Sequence, residues 1–118
     1  MLESTLQRQI LLALSEAGST VWRQNTGMGW AGEIIRRTPT TITLLDPRPL
    51  HAGLCVGSSD ILGIAPDGRF LSVEVKSRRG RATPEQIVFR DAVLRARGIA
   101  GIVRSVEEAL ALVTPERR

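Results

Sequence analysis

The sequence predicts an α/β fold in which helices flank a mixed central sheet, and three patterns carry that expectation. Residues 2 to 17 set Leu6, Ile10, Ala13, Leu14 and Ala17 at helical spacing. Residues 59 to 65 and 70 to 76 read as two strands joined by a tight turn through Pro66-Asp67-Gly68. Strand 70–76, helix 84–97 and strand 99–104 then form a β-α-β unit, which implies a parallel pair with a right-handed crossover.

Each element has a local reason. Gly18 is a natural stop for the first helix. "TVWRQN" at 20 to 25 predicts a short strand. Residues 26 to 52 mix β-branched runs with Gly and Pro, and predict a hairpin around Thr38–Pro39 plus an exposed loop. In "FLSVEVK", Leu71, Val73 and Val75 point to one face and Ser72, Glu74 and Lys76 to the other. "TPEQ" opens the next helix with Thr83 as N-cap, Pro84 at the first helical position and Gln86 completing a capping box. Gly98 is expected to end it. "SVEE" at 105 to 108 predicts a second capping box and a last helix over Ala109, Leu110 and Leu112. The predicted order is α-β-β-β-α-β-α.

A length of 118 residues fits one compact domain spanning 1–118, and 42% hydrophobic content is enough for a core. Four aromatic residues, Trp22, Trp30, Phe70 and Phe89, are too few for a base-stacking platform. The formal charge is +4, compatible with a polyanionic partner, and fifteen of the sixteen cations are Arg, with Lys76 the only lysine. Arg forks phosphate bidentately, which favours nucleic acid; a GC-rich genome gives the same bias. The lone Cys55 excludes an internal disulfide and a Cys-rich zinc site, and Leu54 and Val56 beside it predict a buried, inert thiol. Neither a signal peptide nor an apolar run of spanning length is visible, so a cytoplasmic protein without membrane contact is expected.

Chemistry concentrates in "GSSDILGIAPDGRFLSVEVKSRRGR", residues 57 to 81. Asp60 begins one strand and Glu74 lies in the strand folded back beside it, where antiparallel neighbours stand about 5 Å apart. Two carboxylates so placed can share one divalent cation, and hard ions such as Mg²⁺ take oxygen ligands with waters and phosphate completing the shell. Lys76, two residues beyond Glu74, shares its face and could hold an attacking water or stabilise charge on a phosphate. Taken singly, Asp60 is also an ordinary turn residue, and Glu74 with Lys76 an ordinary solvated strand face. The convergence of all three with "SRRGR" favours metal-assisted phosphodiester hydrolysis.

"GLCVGSSDILGI", "FLSVEVKSRRGRATPEQ" and "RARGIAGIVRSVEEAL" together resemble a VRR-NUC domain, the virus-type replication-repair nuclease branch of the PD-(D/E)XK superfamily. The resemblance runs from the first helix to Leu110 and is weakest over residues 26 to 52. It implies a restriction-endonuclease-like αβββαβ core and DNA cleavage with Mg²⁺ or Mn²⁺. Residue by residue, it implies Asp60 and Glu74 as metal ligands, the Val75 carbonyl as a third, and Lys76 as the catalytic lysine. Gln86 matches the glutamine that opens the following helix near the site, a role that its capping box does not exclude. Glu3 matches an acidic residue of the first helix, although the helix dipole alone favours an acid there. Ser59 stands where the PD motif has its proline.

Arg78, Arg79 and Arg81 are candidates for gripping phosphates beside the scissile bond, which positions a duplex without reading its sequence. Arg36 and Arg37 could extend that surface. His51, the only histidine, lies in a Pro/Gly-rich stretch and reads as a solvated residue rather than a zinc ligand. Trp22 and Trp30 read as core or interface positions. The function expected is a metal-dependent, structure-specific DNA endonuclease acting on branched DNA such as four-way junctions, as a homodimer with one site per copy. A flap or single-strand nuclease, and a non-catalytic nucleic-acid-binding module on the same fold, are the alternatives.

Overall fold

The computed structural model of the protein describes residues 2–24 and 27–115. Helix α1 spans Glu3–Glu16 and buries Leu6, Ile10 and Leu14. It ends in a Schellman turn, with Gly18 N–H on the Ser15 carbonyl and Ser19 N–H on that of Leu14, at 3.1 and 3.0 Å. Gly18 takes φ 102°, a left-handed conformation that glycine enters without a Cβ penalty. Strand β1 follows at Thr20–Arg23. The predicted strand end at Asn25 lies outside the described residues.

Two long strands come next, β2 at Gly27–Arg37 and β3 at Ile42–Ala52, forming a separate antiparallel two-stranded sheet. The expected hairpin turn at Thr38–Pro39 is there, closed by Thr38 N–H on the Thr41 carbonyl at 2.9 Å. The expected open loop is not: its residues extend the hairpin into a ribbon of eleven residues per strand. The chain order is therefore α-β-β-β-β-β-α-β-α, with the ribbon inserted ahead of the strand that carries Ile61. Gly and Pro at 27 to 52 mislead as loop signals because bulges absorb them, with register shifts between Ala31 and Glu33 and between Ile34 and Arg36. The ribbon contacts little besides itself, and the molecule extends over 62 × 29 × 28 Å.

The body is a four-stranded sheet in the order β1-β4-β5-β6, where β4 is Ile61–Ile64, β5 Phe70–Val75 and β6 Ile99–Val103. β4 pairs antiparallel with both β1 and β5, while β5 and β6 run parallel. Helix α2, Pro84–Arg95, makes the crossover between them, and helix α3 is Val106–Val113. A mixed sheet flanked by helices, compatible with an αβββαβ core, is thus the architecture of the body. No helix among the described residues is long and apolar enough to cross a membrane.

Both faces of β5 are covered. Leu71, Val73 and Val75 join Leu6, Ile10, Leu14, Ile61 and Ala109 in the core beneath α1 and α3. Ser72 and Glu74 point to the other face, under α2, and are 0% and 3% exposed. The solvated-face reading of Glu74 fails on this burial.

Cap chemistry follows the sequence closely. Thr83 Oγ1 accepts from Gln86 N–H at 3.2 Å and the Gln86 carbonyl oxygen accepts from Thr83 N–H at 2.9 Å, a complete capping box. Ser105 caps α3 through Glu108 N–H at 3.1 Å, but Glu108 reaches the Arg104 N–H instead of closing the box. α2 stops two residues earlier than expected, because Arg97 adopts the left-handed φ of 69° and Gly98 N–H closes onto the Val93 carbonyl.

Two burial expectations are corrected. Cys55, Leu54 and Val56 are exposed, because their segment is a turn that leaves the body rather than a strand within it. Trp22 and Trp30 are 46% and 61% exposed, on an outer strand and on the ribbon, so neither is a core residue.

Ile10, fully buried at the centre of the α1 contact, measures the core. Ile10→Ala is expected to cost about 2–5 kcal/mol in urea unfolding, with a near-unchanged denaturant slope.

Candidate functional site

The turn that delivers Asp60 is built from "GSSD". Gly57 takes φ 86°, and a Cβ there would strike the backbone carbonyl of Glu85 at the start of α2. Only glycine allows both the turn and the approach of the helix. Ser59, in the place of the expected proline, is buried and its hydroxyl accepts from Ser72 Oγ at 2.6 Å. That contact ties the turn to β5. Ser58 is also buried, and its hydroxyl has no partner among the described residues.

One step before the paired Ile61↔Val73, Asp60 stands opposite Glu74 across the antiparallel ladder. Asp60 Oδ2 accepts the Val75 N–H at 3.0 Å, which orients its carboxyl along β5. Glu74 Oε1 accepts from Gln86 Nε2 at 3.1 Å and lies 3.8 Å from Lys76 Nζ. Glu74 Oε2 is buried and has no hydrogen-bond partner among the described residues. The capping-box geometry and the site role expected of Gln86 therefore coexist: its carbonyl oxygen serves the helix and its amide nitrogen serves Glu74.

Burial first, and then the charge of the adjacent Asp60 carboxyl, push the Glu74 carboxyl up to about 8. Lys76 pulls the other way, and Glu3 adds to the rise. A single lysine does not offset the desolvation of one carboxylate beside another. A divalent cation would supply the missing positive charge, and the orphaned Oε2 offers it a hard oxygen donor. The residues present therefore fit an ion of the Mg²⁺ or Mn²⁺ type.

The remaining predicted residues lie around this pair. Val75 contributes its side chain to the core and its N–H to Asp60. Glu3 reaches over from α1, but its Oε2 accepts the Ser77 N–H at 3.1 Å, so it pins the segment after β5. Among the described residues no group of three or more His, Cys, Asp and Glu side chains is placed to hold a metal, so the close set is the pair Asp60 and Glu74. Arg78, Arg79 and Arg81 are exposed beyond Lys76, and none forms an ion pair with a described residue. Arg36 and Arg37 sit near the far end of the ribbon, away from this group.

Arg104 went unnoticed in the sequence. It follows β6, whose Val103 pairs with Val75, and its Nη1 donates to the Ser77 carbonyl at 2.5 Å and to that of Arg78 at 3.4 Å. Arg104 and Glu3 thus hold the start of the basic segment from both sides. The signal available was its position: the residue after a parallel partner strand ends beside the residue after β5. A cavity of about 410 Å³ lined by Gln9, Ser77, Arg78, Arg104 and Glu107 adjoins this clamp.

No protein-family model and no curated protein matches the chain. The chemistry of the Asp60–Glu74–Lys76 group carries the functional reading.

In the metal-free chain, the raised Glu74 sets a pH dependence of stability. The folded state holds the Glu74 proton up to about 8 while the unfolded chain releases it near 4.5. Stability from this group is fully present below pH 4.5 and is lost as pH rises through 8. In EDTA, the melting temperature should fall between pH 5.5 and 8.5, and Glu74→Gln should flatten that slope.

Proposed function

We propose that this chain is a metal-dependent, structure-specific DNA endonuclease. The observation that supports it most is a buried carboxyl, Glu74, held against a second carboxyl and a lysine with one oxygen left unpartnered. Structural side chains rarely accept such a cost, whereas sites for charged chemistry require it.

Asp60 and Glu74 would hold the ion, with the Val75 carbonyl as a further donor, and Glu3 stands behind them through Ser77. Mg²⁺ or Mn²⁺ held there would supply Lewis-acid polarisation of the scissile phosphate and acidify a water. Lys76 would orient the attacking water and meet the charge that develops on the phosphoryl oxygens. Gln86 fixes Glu74 through Oε1 and leaves Oε2 as the oxygen available to an ion. The new phosphorus–oxygen bond forms as the bond to the leaving oxygen breaks, and the water's proton passes to solvent. Arg78, Arg79 and Arg81 grip the backbone flanking the break, on a segment whose course Arg104 fixes.

Branched DNA such as four-way junctions is the proposed substrate, cut on both strands by a homodimer in the cytoplasm of a bacterium or an infected cell. No helix here is presented for base readout, in keeping with recognition of DNA structure.

The test uses labelled linear, flapped, splayed and four-way-junction DNAs. Cleavage of the junction is expected with Mg²⁺ and none with EDTA. Lys76→Ala should lower the rate about 10²–10³-fold, as loss of one preorganised donor does. Cleavage indifferent to EDTA and to Lys76→Ala would overturn the mechanism. Cutting confined to flaps or single strands would move the substrate class, and binding without cutting would leave a nucleic-acid-binding module.

The arginines answer to salt. Arg78→Ala, Arg79→Ala and Arg81→Ala should each reduce the slope of log affinity against log salt by about 1 in filter binding, with little change in junction preference.

A further inference from the structure

The β2–β3 ribbon plays no part in the site described above, and it is the least covered element of the fold. Met28, Trp30, Ile34, Ile35, Ile42, Leu45 and Leu50 are all between 47% and 65% exposed on it. A two-stranded ribbon is at best marginally stable in water, and three or more strands with an apolar face are needed for stability. Among the described residues no third strand pairs with the ribbon. Its apolar content favours a protein partner over a polyanion, since its charges, Glu33, Arg36, Arg37, Asp46 and Arg48, nearly balance.

The two outer edges of the ribbon differ. β3 carries Pro47 and Pro49, which lack the N–H that an added strand would need. β2 contains no proline from Gly27 to Arg37, so its outer edge keeps every donor. Ile35 has no cross-strand partner in β3, which leaves it free to engage elsewhere.

We propose that the ribbon is a dimerisation arm that pairs along β2 with β2 of a second copy of this chain. The charge order supports a twofold pairing. The bulge at Ile35 sets Glu33 and Arg36 on one face of β2, across from Leu45 and Thr43, so antiparallel pairing of two copies centred on the Ile34–Ile35 step brings each Glu33 to the other copy's Arg36. Ile34 and Ile35 of the two copies then meet at the twofold axis, and the two ribbons form one four-stranded sheet. The pairing supplies an interface for the homodimer proposed above, and it stands on the ribbon alone.

Light scattering on the full chain should give twice the 12.9 kDa mass, and Ile34→Arg with Ile35→Arg should return it to the monomer mass. Both positions are exposed, and an unchanged circular-dichroism spectrum will show that the body stays folded. In a Cys55→Ser background, Ile34→Cys with Ile35→Cys should form an inter-chain disulfide under mild oxidation, while Val88→Cys on exposed α2 should not. A monomeric wild-type chain overturns the pairing, as does a dimer untouched by the arginines or cross-linked equally from Val88. DNA cleavage is scored separately. A monomer that cleaves junctions sinks the arm and spares the nuclease reading; an arm-dependent dimer without cleavage does the reverse.

Discussion

Burial of the Glu74 carboxyl between β5 and α2 is the constraint on which the rest of the body depends. A carboxylate removed from water must find a counter-charge or take up a proton. Here Lys76 and the Gln86 amide reach only one of its oxygens, and the Asp60 carboxyl opposes ionisation from across the ladder. The Glu74 carboxyl is therefore held well above the ordinary carboxylate range. A cation would invert that balance, because two opposed carboxylates would become two donors for it.

Holding that arrangement takes most of the local architecture. Gly57 lets the Asp60 turn lie against the first turn of α2, and Ser59 bonds that turn to Ser72 on β5. The capping box at Thr83 fixes Gln86, whose side chain then serves helix and site together. Glu3 and Arg104 grip Ser77 by its N–H and its carbonyl. Two helices and the ends of three strands thus converge on residues 72 to 77, which explains why the body tolerates a polar face inside its sheet.

Much of this was legible in the sequence, for reasons that are local. Alternation in "FLSVEVK" gave both faces of β5, because β5 is a short strand with a strict period of two. The Thr83 and Ser105 caps were readable because a cap needs only residues within one turn. Long-range partners were not. Nothing local ties Arg104 to Ser77, twenty-seven residues earlier, or Ser59 to Ser72 through a buried hydroxyl pair. Burial of Ser72 and Glu74 depends on α2 crossing above them, which alternation alone does not specify. The ribbon was hidden by its own punctuation: Asp46 at φ 48° and Pro47 sit in a bulge, and a bulge reads from sequence as a loop.

Edge protection separates the ribbon from the body in physical terms. The four-stranded sheet ends on β1 and β6, of four and five residues, and strands so short offer little template to another chain. β2 has eleven residues, no proline and no lysine, and two adjacent isoleucines in its second half. On β3 the prolines at 47 and 49 block the equivalent edge, whereas β2 carries only the bulge at Ile35 and the charges of Glu33, Arg36 and Arg37. Unequal protection of the two edges is the pattern expected of a strand that pairs with a single defined partner. An edge left open by neglect would show neither the prolines nor the charges flanking Ile34 and Ile35. The body therefore carries the chemistry with its edges closed, and the ribbon carries the one edge left open.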